Sequence, residues 1–205
     1  MVIVMLEFKP QQLDKEEAKK LISGLIVPRP VILVTTLSPE GVLNCAPFSF
    51  FQAVCWKPPL VSLSITRRYS GRKDTLKNIL LSTEFVVNVA RPEHVNKVEL
   101  SAEDYPPDVS EVKETGLKTI DSSEIEVPGL QGFPIRLECR LKDQISLAAG
   151  AATVVFAEII TAHVDEEIFV RKTGKVNPQK LNPLLRTGKD LYAQIGEKAE
   201  LVERL

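Results

Sequence analysis

The sequence predicts a mainly β protein with some helix, an antiparallel β-barrel carrying a few short peripheral helices. Strand-length runs of β-branched and apolar residues recur along the chain, for example over 31–37 and 135–147. The turn-forming residues Ser-Pro-Glu-Gly at 38–41 join the first two runs as in a hairpin. Helical spacing is confined to short segments, and this disfavours a parallel sheet, which needs crossover helices between its strands.

The first element is a helix over 14–25, where apolar residues recur at helical spacing and Asp14 is a suitable N-cap. Pro28 and Pro30 then force an extended chain into the hairpin. The remaining predictions are strands at 31–37, from 42 onward, 60–66, 85–90, 135–147 and 153–164, and helices at 74–82 and 92–101.

A single domain over 1–205 is expected, with an N-terminal arm over about 1–26 and an extended C-terminal tail over about 172–205. The segment 103–134 has prolines, glycines and acidic residues but little periodicity. Loops of that length usually have a function or pack across another subunit. The segment and the tail show no obvious partner within the chain.

Composition excludes several classes of function. The formal net charge of −1 and the shortness of the basic patch around Arg67 argue against a nucleic-acid partner. Three widely spaced cysteines and two histidines give no metal motif, so no metal site is expected. The apolar start at 1–6 is too short for a signal peptide or a membrane span. A cytoplasmic protein with reduced thiols and no membrane partner is the expectation.

Hydroxyl, amide and basic residues are densest between residues 35 and 78. Donors on one face of strand 60–66 lead into a basic turn and a helix that starts near Lys73, where free N–H groups and a partial positive charge favour a phosphate. Ser64, Thr66, Lys73, Thr75 and Asn78 are among these hydroxyl, basic and amide residues. The alternative is a solvated strand face and a basic loop, with Asp74 acting only as a helix cap.

The stretch 44–51 suits a flat ligand, because small residues and a proline between Asn44 and Ser49 allow the backbone to approach it closely. Phe48, Phe50 and Trp56 offer aromatic surface, although aromatic residues in such a stretch also serve as core.

Motifs in matching order between about residues 20 and 196 resemble the flavin reductase-like family. They are Arg29-Pro30-Val31, Val34-Thr35-Thr36-Leu37, Gly41, Asn44-x-Ala46-Pro47-x-Ser49-Phe50-Phe51, Lys57-Pro58-Pro59-Leu60, Lys73-Asp74-Thr75-x-x-Asn78, Glu84-Phe85-Val86-Val87-Asn88, Tyr105-Pro106-Pro107, Glu111, Gly116-Leu117, Ile135-x-Leu137-Glu138-Cys139, Glu158-x-x-x-x-His163-Val164 and Tyr192-x-x-x-Gly196.

The resemblance implies a split antiparallel barrel of the FMN-binding type that dimerises and binds FMN at the subunit interface. It places Thr35, Thr36, Asn44, Cys45, Ala46, Pro47 and Ser49 along the isoalloxazine and ribityl chain. It places Ser64, Thr66, Lys73, Thr75 and Asn78 at the phosphate end of FMN. An FMN-dependent oxidoreductase is therefore the leading hypothesis. Its chemistry resides on the flavin, with no catalytic side chain required.

One departure from the family pattern concerns the electron donor. Many NAD(P)H-using relatives have a Gly-Asp-His-Thr-like turn before the last long strand, whereas this chain has Ala-Gly-Ala-Ala-Thr at 149–153. This leaves two alternatives, reduction by NAD(P)H or an electron carrier reduced by a redox partner protein. A non-redox barrel that serves as a binding module is a more remote alternative.

Overall fold

A computed structural model describes residues 4–67, 71, 73–148, 151–188 and 191–196 of the chain. The α-helices are α1 Lys15–Leu25, α2 Asp74–Ser82, α3 Val95–Leu100, α4 Glu111–Glu114 and α5 Pro178–Leu181. The strands are β1 Arg29–Pro30, β2 Ile32–Leu37, β3 Leu43–Phe48, β4 Phe51–Trp56, β5 Pro59–Thr66, β6 Glu84–Val89, β7 Thr119–Ile120, β8 Gly129–Leu130, β9 Ile135–Leu147, β10 Ala152–Val164, β11 Phe169–Val170, β12 Lys175–Val176, β13 Leu185–Arg186 and β14 Tyr192–Ala193. Short 3-10 turns cover Pro10–Gln12, Pro92–His94 and Glu166–Ile168.

Within these ranges, seven strands form one antiparallel sheet in the order β3-β2-β6-β9-β10-β5-β4. Strands β3 and β4 are its two edges, yet only Ser49 and Phe50 separate them in the chain. The two edges therefore meet at this link and the sheet curls into a barrel that is split there. The predicted fold class, a mainly β split barrel, is confirmed.

The barrel interior is filled by residues that alternate along each strand. Ile32 and Val34 of β2, Leu63 and Ile65 of β5 and Phe85 of β6 are almost completely buried in one cluster. Helix α2 covers this cluster through Leu76 and Ile79. Burial of each such side chain stabilises the fold by roughly 1.5–3 kcal/mol relative to exposure. The alternation therefore determines both the strand register and the position at which α2 packs.

The segment 103–134 and the C-terminal tail pack on the outer face of the same barrel. Val112, Leu130 and Phe133 join Leu184 of the tail in a second buried cluster with Leu33 of β2. The tail also pairs with the start of the barrel, β13 with β1. The expectation that this segment and the tail lack partners within the chain is therefore wrong, because their apolar residues are spaced too irregularly for a periodicity argument to detect.

The N-terminal arm differs, because none of its described residues is buried. Helix α1 forms for the predicted local reason: Asp14 Oδ1 accepts the Glu17 N–H at 2.8 Å and the Glu17 carboxylate accepts the Asp14 N–H at 3.1 Å. The apolar residues of the arm nevertheless stay exposed, among them Met5, Leu6 and Leu25. Local capping thus stabilises α1, and none of the described residues of the arm is buried against the barrel.

Most predicted elements are present within one or two residues, and α2 has its predicted bounds. The predicted helix at 92–101 is a 3-10 turn followed by α3. Strand β4 was not predicted, because most of its side chains are exposed and it lacks an apolar and polar alternation.

Candidate functional site

Strand β3 carries the stretch Asn44 to Phe48 along one open edge of the barrel. It pairs with β2 so that Asn44, Cys45 and Ala46 lie opposite Thr36, Thr35 and Val34. The Cys45 N–H points away from β2, because it donates to Glu111 Oε2 at 2.9 Å. Backbone N–H groups alternate in direction along an antiparallel strand, so those of Asn44 and Ala46 point toward β2. Pro47, which has no N–H group, lies at a position that faces the open side.

Four of the predicted site residues form one buried polar network between β2, β3 and α2. Thr36, Asn44, Thr75 and Asn78 are all buried. The Asn78 Nδ2–H group donates to Thr36 Oγ1 at 3.1 Å. The Asn44 amide lies 3.2 Å from Thr36 Oγ1 and 3.0 Å from Thr75 Oγ1. These side chains satisfy one another, so they attach the first turn of α2 to the barrel.

The hydrogen-bond network assigns the orientation of the Asn44 amide. When Nδ2 faces the ionised carboxylate of Glu111, it donates to Oε1 at 3.3 Å, and Oδ1 accepts from the hydroxyls of Thr36 and Thr75. The opposite orientation would place the amide oxygen against the carboxylate oxygen. The direction of donation therefore runs from Asn78 to Thr36, on to Asn44, and from Asn44 to Glu111.

Two predicted residues have side chains on the other face of the barrel. Thr35 is fully buried and donates its hydroxyl to the Pro128 carbonyl oxygen at 2.8 Å. Cys45 is fully buried in the outer cluster, where burial and the charge of Glu111 raise the pKa of its thiol. Residues adjacent in a strand face opposite sides. The structure therefore separates the Thr35 and Cys45 side chains from those of Thr36 and Asn44.

The link between β3 and β4 gathers a second set of predicted residues. Arg29 is buried, donates from Nε to Ser49 Oγ at 3.3 Å and lies over the Phe50 ring at 5.4 Å. The Ser64 N–H donates to the Phe50 carbonyl oxygen at 2.9 Å. The Lys73 ammonium, at the N-cap of α2, lies 5.0 Å from the centre of the Phe48 ring. Residues from three elements thus converge on Phe48 to Phe50.

Ser64 and Thr66 share the outward face of β5, since Leu63 and Ile65 fill the interior. Ser64 is half-buried and Thr66 is exposed, so both hydroxyls border solvent near the link. Arg68 and Arg72, which belong to the predicted basic turn, lie outside the described residues. So do Ala149 and Gly150 of the turn compared with the Asp-His motif.

Arg29 has a further contact that ties the arm to this link. Its Nη1 donates to the carbonyl oxygen of Ser23 at 2.5 Å and also to that of Ile26. Burial, with a smaller contribution from Arg186, lowers the pKa of the guanidinium. Arg29 therefore fixes the turn into the first strands, beside Ser49.

The buried carboxylate of Glu138 on β9 and the imidazole of His163, near the C-terminal end of β10, form a separate pair. Glu138 Oε1 lies 2.6 Å from His163 Nε2, and its two oxygens accept the N–H groups of Ser123 and Glu124 at 2.7 and 2.8 Å. Burial alone would raise the pKa of Glu138, but these hydrogen bonds outweigh it and the pKa lies below its usual range. The pair anchors the segment 103–134 to the barrel.

Two open clefts lie elsewhere on the molecule. The larger, of about 800 Å³, lies between the β2–β3 hairpin and α4, and the smaller, of about 470 Å³, is beside Arg136 and His163. Neither cleft is lined by Ser49, Ser64 or Lys73. The predicted site therefore lies outside these two clefts.

With this geometry established, comparison with known proteins identifies the family. The model of the flavin reductase like domain matches residues 24–185. The chain belongs to this family. The match covers β1 to β12, including the β3–β4 link and α2, so the resemblance inferred from the motifs is confirmed.

Three similar proteins agree with this assignment. The protein YwrF of Bacillus subtilis (strain 168) is 34% identical over 199 residues, which cover 95% of this chain and 97% of that one. Nitrilotriacetate monooxygenase component B from Bacillus cereus is 35% identical, with a TM-score of 0.92 and coverage of 98% of this chain and 100% of that one. The 2-nitrobenzoate 2-nitroreductase NbaA of Pseudomonas fluorescens is 29% identical, with a TM-score of 0.87 and coverage of 97% and 96%.

Family membership places the chain among flavin-related redox proteins. Among the described residues, no helix is both long enough and apolar enough to cross a membrane.

The site contacts that the sequence did not predict join residues that are far apart in the chain. Glu111 was visible only as a family position, since its partner Cys45 is 66 residues away in the chain.

Proposed function

We propose that the chain is an FMN-dependent oxidoreductase that binds FMN non-covalently where β3, β5 and α2 meet. The observation that carries the proposal is the convergence on the Phe48–Phe50 link. Lys73 lies over one of its rings, Arg29 and Ser49 adjoin the other, and Ser64 bonds to its backbone. A cation, hydroxyls and the exposed Phe50 ring in one place fit a ligand with a phosphate and a flat ring.

The phosphate end is assigned to the start of α2. The helix has nine residues, and its unpaired first N–H groups attract an anion. Lys73 precedes them at the N-cap and adds a full charge, while Thr66 and Ser64 offer hydroxyls on the facing strand. Thr75 and Asn78 hold α2 against the barrel, since both are buried in the polar network with Thr36 and Asn44.

The ring end is assigned to the β3–β4 link. Phe50 is 43% exposed, and Arg29 holds the adjacent Ser49 hydroxyl. Ser49 follows β3 directly, and its N–H is assigned to donate to a polar edge of the ring. When bound, the flavin supplies the electron-accepting ring, and the chain binds and orients it.

A homodimer is part of the proposal, supported by apolar surface that the described protomer leaves uncovered. Trp56 on edge strand β4 is 86% exposed, and Val54 and Phe50 are exposed on the same strand or beside it. The N-terminal arm adds further exposed apolar residues, among them Met5 and Leu6, which are not buried against their own barrel. Exposed apolar surface of this extent is typical of subunit interfaces.

The first test is whether the purified protein binds FMN. Fluorescence titration compares FMN with riboflavin, which lacks the phosphate, for the wild type and for Lys73→Ala. Loss of one charged hydrogen bond costs about 1.5–3 kcal/mol, so FMN affinity falls about 10- to 100-fold while riboflavin affinity changes little. Lys57→Ala removes the same charge from the exposed β4–β5 turn and is expected to match the wild type. A wild type that binds neither ligand contradicts the proposal, and equal losses for both ligands remove the phosphate assignment.

A second candidate is an FMN electron carrier that receives electrons from a partner protein. The sequence at 149–153 favours it, because the Asp-His pair of NAD(P)H-using relatives is absent there. Stopped-flow mixing of the FMN-loaded protein with NADH or NADPH separates the two functions. Bleaching of the flavin by either nucleotide supports the reductase, and no bleaching by both supports the carrier.

A further inference from the structure

Glu111 is a buried carboxylate that contacts two consecutive residues of the proposed flavin site. It lies at the start of α4, in the segment that wraps the outer face of the barrel. Its Oε2 accepts the Cys45 N–H at 2.9 Å, and its Oε1 lies 3.3 Å from the Asn44 amide nitrogen. A buried charge is costly unless hydrogen bonds satisfy it, so its position on the edge of β3 requires such donors.

The Asn44 amide transmits this contact to helix α2. Because Nδ2 faces Glu111, Oδ1 faces the hydroxyls of Thr36 and Thr75 and accepts from both. Thr75 belongs to the first turn of α2, directly after the residues assigned to the phosphate. The orientation of one amide therefore decides which hydrogen bond holds the N-terminus of α2 to β3.

We propose that Glu111 is a positioning residue of the flavin site, which sets the amide of Asn44 and through it the phosphate-binding end of α2. The inference rests on the proposed function. It adds that FMN binding depends on a residue of the segment 103–134, outside the barrel strands and α2. Glu111 acts through Asn44 and Cys45 and is not itself a phosphate ligand.

The isosteric change Glu111→Gln isolates this effect. The glutamine oxygen still accepts the Cys45 N–H, but its NH₂ group then meets the Asn44 NH₂ group. Asn44 relieves this conflict by rotating, and its NH₂ group turns toward Thr36 and Thr75. The hydroxyls of Thr36 and Thr75 then lose Asn44 Oδ1 as their acceptor. The hydrogen bond between Asn44 and Thr75, which positions the first turn of α2, changes direction, with Asn44 as the donor. The ring end is unaffected, because Arg29 holds Ser49 independently.

The experiment measures the ratio of FMN to riboflavin affinity in the wild type, in Glu111→Gln and in Glu114→Gln. The expected result is an FMN affinity about tenfold lower in Glu111→Gln, with riboflavin changed less than about twofold. Glu114 lies on the same helix but is exposed, so its variant keeps the wild-type ratio. A change of fold stability alone would lower both affinities together, so the ratio separates positioning from a structural role.

The outcomes distinguish this inference from the proposed function. If the wild type prefers FMN to riboflavin and Glu111→Gln keeps the same ratio, the role of Glu111 is overturned and the flavin site stands. If the wild type binds neither ligand, the proposed function fails first. Should Glu111→Gln not fold, Glu111→Asp gives the same test, because its shorter side chain no longer reaches both partners. It too must lower the ratio, and an unchanged ratio overturns the inference.

Discussion

The polar network beneath α2 makes a quantitative prediction for Thr36→Val. Valine matches threonine in shape and suits a strand, so the change removes one hydroxyl and little else. Thr36 is fully buried, and its Oγ1 serves both the Asn78 and the Asn44 amides, at 3.1 and 3.2 Å. Its loss leaves the buried Asn78 Nδ2–H group without this acceptor and removes one of the two hydroxyl donors to Asn44 Oδ1, which keeps Thr75.

The orphaned Asn78 group costs about 1–3 kcal/mol, the lost bond to Asn44 costs about 0.5–1.5 kcal/mol, and the added methyl group returns about 0.8 kcal/mol. The free energy of unfolding therefore falls by roughly 1–4 kcal/mol. In a chain of this size 1 kcal/mol shifts the melting temperature by about 2–4 °C, so Tm falls by roughly 5–10 °C.

The assay is thermal unfolding followed by circular dichroism, with Thr35→Val as the matched control. Thr35 is equally buried on the same strand, but it makes a single bond to the Pro128 carbonyl oxygen, so we expect a loss of about 1 kcal/mol. A Thr36→Val protein that melts within about 2 °C of the wild type, or above Thr35→Val, refutes the network.

Two further predictions concern the Glu138 pair and the dimer. The folded pKa of Glu138 is depressed, so its stabilisation is present above the ordinary value of 4.5 and is lost as the pH falls through the folded pKa. Urea unfolding is therefore expected to show Glu138→Gln less stable than the wild type by about 1–3 kcal/mol at pH 7, with the gap closing on acidification; a gap that widens at low pH contradicts the assignment. Trp56→Lys places a charge on the exposed edge of β4, and sedimentation velocity should show a weakened dimer, whereas an unchanged dimer places the interface elsewhere.

Local sequence signals predicted the helices that begin at a capping residue and the strands in which apolar and polar residues alternate. Asp14 and its Glu17 partner define the start of α1, and the alternation of 60–66 defines β5. The same alternation separates Thr35 from Thr36, so the division of the predicted site between two faces follows from strand geometry. The resemblance, by contrast, assigned both residues to one ligand.

The unpredicted features depend on contacts between distant residues. Strand β4 is defined by pairing with β5, and its exposed side chains give no periodic signal. Glu111 reaches Cys45 from an aperiodic segment, and Glu138 binds N–H groups of that same segment. Propensity and periodicity describe neighbours in the chain, so contacts of this kind appear only when the barrel is closed.

The most direct test of the flavin site is a crystal structure of the protein with FMN. The account predicts a phosphate within hydrogen-bond distance of the Lys73 ammonium at the start of α2, and a ring that adjoins Ser49 and Phe50. FMN bound with its phosphate away from Lys73, or in either of the two clefts, would contradict it.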